Sequence, residues 1–354
     1  MNTIKNISIT KVKSTRVNQL DFSRLPFGKV FTDHMFTADY LNDEWQSCQI
    51  IPYGPLALSP AISVLHYGQT VFEGLKAYKQ IDGSIGIFRP DKHFHRLNQS
   101  AQRMAMPAIP WELFIESLAT FVHTEREWVP QGEGYSLYIR PVMFATEPAL
   151  GVRASNEYKL VLLANPTGPY YNSPLKVRIE TEFTRADAGG VGFAKTGGNY
   201  ARSLYPFQKA ALAGFDQLIW TDAASKTYVE EAGTANLVFV IAGEIITPSL
   251  GNTVLDGVTR DSILHLASAM GIPVQERKVS IDEIIGAIED GTLSEAFAVG
   301  TGATLTPIGE ITHQDTSHHI GKGHPQVISK LIAEKLNAIR YGRCNDEFGW
   351  IYRL

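Results

Sequence analysis

One lysine stands among five glycines. Residues 189–201 read GGVGFAKTGGNYA, so Lys195 has glycines on both sides and Thr196 directly after it. A lysine amine can contact the phosphates of a nucleotide as a point charge. It can instead bond covalently to a carbonyl carbon, when burial or neighbouring charges lower its pKa. The third interpretation, a solvated charge on a surface loop, holds for most lysines.

A nucleotide-binding P-loop is the first functional alternative. GGVGFAKT differs by one residue from the pattern G-x-x-x-x-G-K-T, and QLIWTD at 217–222 resembles the hydrophobic strand whose final aspartate holds Mg²⁺. Ala194, however, stands where the pattern has its second glycine. A Cβ at that place obstructs the close approach of backbone N–H groups to phosphate. The sequence therefore disfavours a P-loop.

A lysine that forms a Schiff base with pyridoxal phosphate is the second alternative. Flanking glycines would let the cofactor ring lie close to the backbone. Such a site also needs a charged group at the pyridine nitrogen and a cup of backbone N–H groups for the phosphate. LDGVTRDSIL at 255–264 places a glycine turn directly before a predicted helix, with Thr259 as its predicted cap. The N-terminus of a helix binds phosphate well, although this signal alone is weak.

Six motifs occur in a fixed order along the chain. They are VFEGLKAY, LYIRPVMFATEPALGV, KTGGNYA, EEAGTANLVFV, LDGVTRDSIL and GTGATLTPI. Together they resemble the branched-chain-amino-acid aminotransferases, which are fold type IV pyridoxal phosphate enzymes, and the resemblance extends from Phe27 to about Pro307. It implies an α+β (two-domain α/β) fold, with a small N-terminal α/β domain and a larger C-terminal domain that has a barrel-like β core. It also implies a ping-pong transfer of the amino group from L-leucine, L-isoleucine or L-valine to 2-oxoglutarate, which gives L-glutamate.

The same resemblance assigns the cofactor residues. Lys195 would form the Schiff base and then move a proton between substrate and cofactor, and Tyr200 would hydrogen-bond to O3′ of the ring. Glu231 would pair with the pyridine nitrogen, while strand alternation is expected to point Glu230 to the opposite face. Leu255 would pack against the pyridine ring. The phosphate contacts carry over to Arg96, Val258, Thr259 and Thr301.

A predicted enclosure of aromatic and aliphatic side chains would surround the substrate. Its residues by resemblance are Phe27, Tyr67, Phe72, Tyr138, Val152 and Tyr170. Each of these types is ordinarily a core residue, and only their joint match to the family suggests a pocket. Burial of a branched side chain there would contribute about 0.8 kcal/mol for each CH₂ group.

Two further sets of residues would bind the substrate carboxylates. Arg140, helped by Tyr67, matches the family residue that binds the distal carboxylate of glutamate. The α-carboxylate would be held by Thr234 and by backbone amides near Gly302 and Ala303. The segments with Val152 and Tyr170 reach the neighbouring subunit in the family, so the resemblance implies a homodimer. Some members carry C-x-x-C where this chain has Ala303 and Thr306, so thiol regulation at that place is not expected.

Other functions of the same fold stay open at this point. A D-amino acid aminotransferase and an aminodeoxychorismate lyase are the nearest rivals, but both are usually shorter and are not expected to carry FEGLKAY together with YIRPV. A binding protein that has lost catalysis is disfavoured because Lys195, Tyr200 and Glu231 are all present.

The periodicity of the sequence predicts the elements that carry these motifs. Phe94, Leu97 and Ala101 have helical spacing in 91–106, and 111–128 and 259–271 are also predicted helices. Predicted hairpins turn at Asp82-Gly83 and at Ala242-Gly243. Pro, Gly and Asn crowd into NPTGPYYNSP at 165–174. We therefore expect a small domain over 1–168, a linker over 169–174 and a larger cofactor-binding domain over 175–354.

Composition excludes several classes of protein. The 354 residues are 44% hydrophobic and 19% charged, with a formal net charge of -4 and no long basic run, so nucleic-acid binding is not expected. No apolar segment is long enough for a signal peptide core or a membrane span. Cys48 and Cys344 lack disulfide or metal-ligand spacing. We expect a cytoplasmic enzyme without a metal ion, in which HHIGKGH at 318–324 is an exposed polar loop.

Overall fold

The computed structural model describes residues 7–168, 173–302, 304–321 and 326–354. The chain divides into two compact units. Unit 1 consists of Met1–Tyr170, Ala194–Gly197 and Ala338–Leu354, and unit 2 of Tyr171–Phe193 and Gly198–Asn337.

Helices and strands are numbered here in chain order. The α-helices are α1 Ser63–Tyr67, α2 Pro90–Arg103, α3 Trp111–Thr124, α4 Gly197–Leu212, α5 Val258–Ala269, α6 Ile281–Glu289 and α7 Ile328–Arg340. The strands are β1 Ser8–Ile9, β2 His34–Leu41, β3 Glu44–Pro52, β4 Thr70–Phe72, β5 Leu75–Lys79, β6 Ile85–Phe88, β7 Ser136–Ala145, β8 Tyr158–Thr167, β9 Leu175–Glu180, β10 Gln217–Thr221, β11 Tyr228–Ala232, β12 Ala235–Ile241, β13 Glu244–Thr247, β14 Val274–Glu276, β15 Val279–Ser280, β16 Leu293–Gly300, β17 Thr304–His313, β18 Thr316–His319 and β19 Ile351–Arg353. Short 3₁₀ helices lie at Val17–Gln19 and Arg126–Trp128.

A nine-stranded sheet forms the body of unit 1. Its strand order is β1-β3-β2-β8-β7-β5-β6-β19, and β4 pairs with β7 beside this path. β5 and β6 are antiparallel neighbours across the Asp82-Gly83 turn, which confirms the predicted hairpin. Gly83 has a φ of 85°, a conformation that side chains with a Cβ rarely adopt.

The two faces of this sheet differ in polarity because successive side chains point to opposite sides. Apolar residues of β5, β7, β8, α2 and α3 share one buried cluster; among them are Leu75, Ala77, Leu97, Phe114, Leu137, Ile139 and Leu162. On the other face Lys76 lies opposite Tyr138, and Tyr138 lies opposite Asn165. Arg140 follows two residues after Tyr138 and therefore shares its face. The polar face carries the substrate residues predicted on β7.

Helix α2 begins at Pro90, whose fixed φ suits the first helical position, and has Asp91 in its first turn. Leu97 and Ala101 are fully buried in the core of unit 1, as their helical spacing predicts. The helix ends at Arg103, and Ala105 then adopts a positive φ of 53°. The predicted helix over 91–106 is thus confirmed, with its end three residues earlier.

A closed β-barrel forms the centre of unit 2. β12, β16, β17, β9, β10 and β11 pair in this order, and β11 pairs again with β12, which closes the ring. β9 is parallel to both β10 and β17, whereas the other pairs of the ring are antiparallel. Val177, Ile219, Leu237 and Phe239 belong to the buried apolar cluster of this unit. The barrel-like core implied by the family resemblance is confirmed.

The contact-defined units differ from the predicted domains in two ways. Residues 338–354 belong to unit 1 rather than to the C-terminal unit, because β19 pairs with β6. Residues 194–197 also belong to unit 1, because Thr196 forms a β-bridge with Val71. Unit 1 therefore contains more than half of the chain and is not the smaller unit. Residues 169–172 of the predicted linker lie outside the described residues, so the linker itself remains a prediction.

Across the described ranges, none of the helices combines the length and the apolar character that a membrane crossing requires.

Candidate active site

Lys195 is held through its backbone on two sides in unit 1. Its N–H donates to the Oγ atom of Ser100 at 2.9 Å, and its carbonyl oxygen accepts from the N–H of Phe72 at 3.0 Å. The hydroxyl of Thr196 donates to the carbonyl oxygen of Thr70 at 2.7 Å. The Lys195 Nζ lies 4.9 Å from the centroid of the Phe72 ring. Lys195 is thus half-buried beside an aromatic ring, and a solvated surface lysine is the wrong description.

A buried ionic network lies on helix α2 and the segment before β5. The Arg96 guanidinium donates from Nε and Nη2 to the two carboxylate oxygens of Glu73, at 2.6 and 2.9 Å. His93 Nδ1 is 2.6 Å from the same carboxylate. Burial opposes the charge of Glu73, but Arg96 and His93 hold the pKa of this carboxyl well below its usual range. The predicted contact of Arg96 with phosphate stays a prediction, and Glu73 orients its guanidinium.

Four of the predicted substrate residues form one aromatic and cationic cluster in unit 1. The Arg140 guanidinium carbon lies 4.7 Å from the centroid of Phe72, and Nη2 donates to the Tyr138 hydroxyl at 2.8 Å. The Phe27 ring packs edge-on against Tyr138, with centroids 5.1 Å apart. A Cβ on Gly74 would lie 2.0 Å from the Tyr138 hydroxyl oxygen, so this glycine makes room for the tyrosine.

Two other predicted substrate residues are exposed, and two more lie outside the described residues. Tyr67 is 45% exposed and Val152 is 90% exposed in the single chain. Tyr170 and Ala303 lie outside the described residues. The roles of all four stay predictions.

A pocket in unit 2 collects four other predicted residues. Tyr200, Glu231, Thr234 and Leu255 line it, and so do residues that the motifs did not single out: Arg185, Asn199, Ser203 and Gly233. Tyr200 lies in helix α4 and Glu231 in strand β11. Thr234 follows β11, and Leu255 precedes α5. Segments more than 50 residues apart along the chain thus meet at one pocket.

Arg185, Leu255 and Asn236 contact the Glu231 carboxylate at this pocket. Its Oε2 is 2.7 Å from Nε of Arg185, and its Oε1 accepts from the Leu255 N–H at 2.7 Å and from Asn236 Nδ2 at 3.4 Å. Only 2% of Glu231 is exposed. The neighbouring Glu230 is not among the lining residues; it accepts a hydrogen bond from the Thr253 hydroxyl, and burial raises its pKa.

Helix α5 begins at Val258, three residues after Leu255. Its N-cap residue is Gly257, so the prediction of Thr259 as the cap is wrong, and Thr259 is the second helical residue. A side chain has no room at this position, because a Cβ on Gly257 would lie 1.9 Å from the Asn236 Oδ1. Val258 and Thr259 are buried, and the first N–H groups of a helix have no acceptor within it. This donor set, with the Thr259 hydroxyl, fits a phosphate group.

Other predicted positions follow strand β16. Thr301 and Gly302 are half-buried residues of the turn after Gly300, and β17 begins at Thr304. Their predicted contacts with phosphate and with the α-carboxylate stay predictions. Among the residues that the structure describes, no group of His, Cys, Asp and Glu is arranged to hold a metal ion.

A family model described as "Amino-transferase class IV" matches residues 70–311, a range that includes Lys195 and every residue of the unit 2 pocket. The chain belongs to the class IV aminotransferase family, in its branched-chain-amino-acid branch. This membership excludes the P-loop interpretation of the Lys195 loop, since the loop lies inside the matched range.

Curated relatives of this aminotransferase match over nearly its whole length. Branched-chain-amino-acid aminotransferase 2 of Bacillus subtilis is 47% identical over 96% of this chain and 95% of the relative. A probable branched-chain-amino-acid aminotransferase of Staphylococcus aureus is 45% identical over 96% of both chains. Neither a D-amino acid aminotransferase nor a lyase is favoured by these relatives.

Solved structures agree with this membership. The branched-chain aminotransferase of Thermoproteus uzoniensis with norvaline has a TM-score of 0.73 at 26% identity and covers 90% of this aminotransferase and 99% of its own chain. A second solved branched-chain aminotransferase, complexed with N-(5'-phosphopyridoxyl)-L-glutamate, has a TM-score of 0.71 at 28% identity, with coverages of 89% and 97%. The fold type IV architecture expected from the motifs is confirmed.

Sequence reasoning missed several residues at these places. Arg185, Asn199, Glu73 and Ser100 each contact a predicted residue or line its pocket. Glu73 lies inside the motif VFEGLKAY, which could have singled it out. Nothing near Ser100 in the sequence points to Lys195, since 95 residues separate the two.

Proposed function

We propose that this aminotransferase uses pyridoxal phosphate to exchange the amino group between L-leucine, L-isoleucine or L-valine and 2-oxoglutarate. The observation that carries the proposal is the convergence of Tyr200, Glu231, Thr234 and Leu255 on one pocket, as the family resemblance requires. The relatives named branched-chain-amino-acid aminotransferases support the substrate class. The solved relative complexed with a phosphopyridoxyl-glutamate supports both the cofactor and the second substrate.

The residues of unit 2 would bind and tune the cofactor. When bound, pyridoxal phosphate supplies an electrophilic carbonyl carbon and a ring that accepts electrons from the substrate. Glu231, whose carboxylate pairs with Arg185, would accept a hydrogen bond from the protonated pyridine nitrogen. The Tyr200 hydroxyl would hydrogen-bond to O3′, and Leu255 would cover one side of the ring. The N–H groups of Val258 and Thr259 and the hydroxyl of Thr301 would bind the phosphate, together with Arg96.

Lys195 would do the proton chemistry. Its amine would hold the cofactor at the carbonyl carbon, and as a free base it would accept the proton that leaves the substrate Cα and donate it back. Backbone hydrogen bonds to Ser100 and Phe72 orient the lysine for this task. The Phe72 ring beside Nζ excludes water from one side of the amine.

The two substrates would use different side chains of one enclosure. Phe27, Phe72 and Tyr138 provide apolar surface for a branched side chain. Arg140 would bind the distal carboxylate of glutamate or 2-oxoglutarate, because a guanidinium and a carboxylate form a two-pronged hydrogen-bonded pair. Thr234 and the amides near Gly302 and Ala303 would hold the α-carboxylate common to both substrates.

The assembly and the location of the protein belong to the same proposal. Val152 and Tyr170 would reach the neighbouring subunit's substrate site within a homodimer, and Val152 is 90% exposed in the single chain. A cytoplasmic location is the expectation from the sequence. Sedimentation of the purified protein tests the dimer, and a monomer at micromolar concentration would contradict it.

Absorption spectroscopy tests the chemistry directly. The protein is loaded with pyridoxal phosphate, and L-leucine and then 2-oxoglutarate are added while the visible band is recorded. We expect the band to bleach with L-leucine and to return with 2-oxoglutarate, and borohydride treatment should label Lys195. A Lys195→Ala variant is the control and should show no borohydride label. A response to D-leucine alone would overturn the substrate class, and a label elsewhere would overturn the role of Lys195.

A further inference from the structure

Arg185 joins three segments of the unit 2 pocket. It lies just before the glycine-rich loop and is only 7% exposed. Its Nε is 2.7 Å from the Glu231 carboxylate, Nη1 donates to the carbonyl oxygen of Thr253 at 2.6 Å, and Nη2 donates to that of Gly192 at 3.1 Å. All three nitrogens of the guanidinium therefore have fixed partners, and this planar group is held in one orientation.

The Glu231 carboxylate pairs with this cation. A buried carboxylate that lacks a charge partner takes up a proton rather than remain ionised. Acidic groups lie nearby, since Glu230 directly precedes Glu231. Burial raises the pKa of Glu230 most, the Arg185 cation lowers it, and the charges of Asp222 and Asp187 raise it further. The second carboxylate oxygen of Glu230 is buried without a hydrogen-bond partner among the described residues. Arg185 supplies a cation at 2.7 Å from the Glu231 carboxylate in this surrounding.

We infer that Arg185 is a positioning residue that keeps Glu231 ionised and aimed into the pocket, so that the proton shared with the cofactor resides on the pyridine nitrogen. This inference rests on the proposed function. Without the guanidinium, the carboxylate would bind a proton more strongly, and the shared proton would move from the ring nitrogen to Glu231. An unprotonated ring accepts electrons poorly, so the proton transfer by Lys195 would slow while substrate binding would change little.

Nuclear magnetic resonance of ring-labelled [¹⁵N]pyridoxal phosphate reads the protonation of the nitrogen itself. Wild type, Arg185→Gln and Arg202→Gln are loaded with the labelled cofactor near pH 7.5. Arg202 is the matched control, since it also forms an ion pair, with Asp187 at 2.7 Å, but is 44% exposed. We expect the ¹⁵N chemical shift of a protonated pyridine nitrogen in wild type and R202Q, and that of an unprotonated nitrogen in R185Q. The kcat with L-leucine should fall about tenfold or more in R185Q, with KM changed less than about threefold.

A double variant separates positioning from a merely structural role. If Arg185 acts through Glu231, Glu231→Gln alone should already give the unprotonated shift, and R185Q should change neither the shift nor kcat further in that background. Additive losses would overturn the inference, since they would mean that Arg185 only ties the segments at Gly192 and Thr253 together.

Further outcomes distinguish this inference from the proposed function. A protonated ring and unchanged kcat in R185Q would overturn the role of Arg185 and leave the proposed function intact, whereas failure of wild type to bind the cofactor would overturn the proposed function. If R185Q does not fold, Arg185→Lys replaces it. This variant keeps the positive charge but lacks the planar guanidinium with its several N–H donors. Because the charge is retained, we then expect the nitrogen to stay protonated with kcat close to wild type, and an unprotonated nitrogen in R185K would overturn the inference.

Discussion

The Oγ atom of Ser100 accepts a hydrogen bond from the backbone N–H of Lys195 at 2.9 Å, and it donates one to the carbonyl oxygen of Arg96 at 2.8 Å. Ser100 is fully buried in helix α2. The Lys195 carbonyl oxygen meanwhile accepts from Phe72. Because the peptide groups on both sides of Lys195 are fixed, the direction in which its side chain leaves the backbone is fixed too. The same helix carries Arg96 and thereby ties the predicted phosphate ligand to the predicted catalytic amine.

Ser100→Ala should weaken both stability and catalysis. The variant leaves the Lys195 N–H without its acceptor, which costs about 1–3 kcal/mol of unfolding free energy. The kcat should fall as the lysine loses its fixed position. Ser117→Ala is the matched control, since Ser117 is equally buried but its hydroxyl donates to the Phe114 carbonyl oxygen within helix α3. Urea unfolding and steady-state kinetics measure the two effects, and equal kinetic losses in both variants would contradict a specific role of Ser100.

Arg140→Met should impair one half-reaction much more than the other. The Arg140 Nε is buried and has no hydrogen-bond partner within the described part of the chain, so it is available to a carboxylate. Loss of a charged hydrogen bond costs about 1.5–3 kcal/mol, so kcat/KM for 2-oxoglutarate should fall about 10- to 150-fold. The kcat/KM for L-leucine should change far less, since L-leucine has no distal carboxylate. Stopped-flow measurement of each half-reaction gives both values, and similar losses for the two substrates would contradict this assignment.

Gly257→Ala should weaken cofactor binding. The added Cβ would displace Asn236, whose amide donates to the Leu255 carbonyl oxygen at 2.9 Å, and would distort the start of α5. Overpacking of this kind costs about 1–3 kcal/mol of stability, and the dissociation constant for pyridoxal phosphate should rise. Gly286→Ala is the control: this glycine lies inside helix α6 with open space around it, so alanine should stabilise by up to about 1 kcal/mol. Fluorescence titration measures the dissociation constant for pyridoxal phosphate in each variant. Equal constants in the two variants would mean that the phosphate does not bind at the start of α5.

Lys76→Met should change how stability depends on pH. Burial, together with the Arg340 cation, lowers the pKa of Lys76 to about 7, whereas an unfolded chain keeps a lysine protonated up to about pH 10.4. Between these values the unfolded state binds more protons, so the unfolding free energy of wild type should rise with pH from 7 to 10. The variant should be more stable than wild type by a few kcal/mol near pH 6, and the difference should shrink toward pH 10.

Denaturant unfolding at pH 6, 8 and 9.5 measures this difference. The control is Lys79→Met, on the same strand but partly exposed, for which we expect a nearly constant difference from wild type. Tyr78 does not interfere, because burial raises its pKa and keeps it neutral over this range. If the unfolding free energy of K76M depends on pH as that of wild type does, then Lys76 is charged in the folded state, which would contradict the prediction.

The elements of this protein were largely predictable from local pattern. Leu97 and Ala101 recur at helical spacing and are buried on one face of α2, and Asp82-Gly83 demands a turn that the β5–β6 pairing uses. The cap of α5 was mispredicted because threonine commonly caps through its side chain, whereas here Gly257 caps with backbone alone beside Asn236. The contact-defined units divide the chain differently from the predicted domains, since the pairing of β19 with β6 joins residues far apart in the chain.

By itself, the sequence determined the family, the lysine that would bond to the cofactor and the residue types needed around it, because these are carried by short motifs whose chemistry depends on residue identity. Only the tertiary structure decided what orients those residues. Ser100 reaches Lys195 across 95 positions and Leu255 reaches Glu231 across 24, while Arg185 is 46 positions from Glu231. Such contacts depend on how strands pair and helices pack, and no local pattern of side chains specifies them.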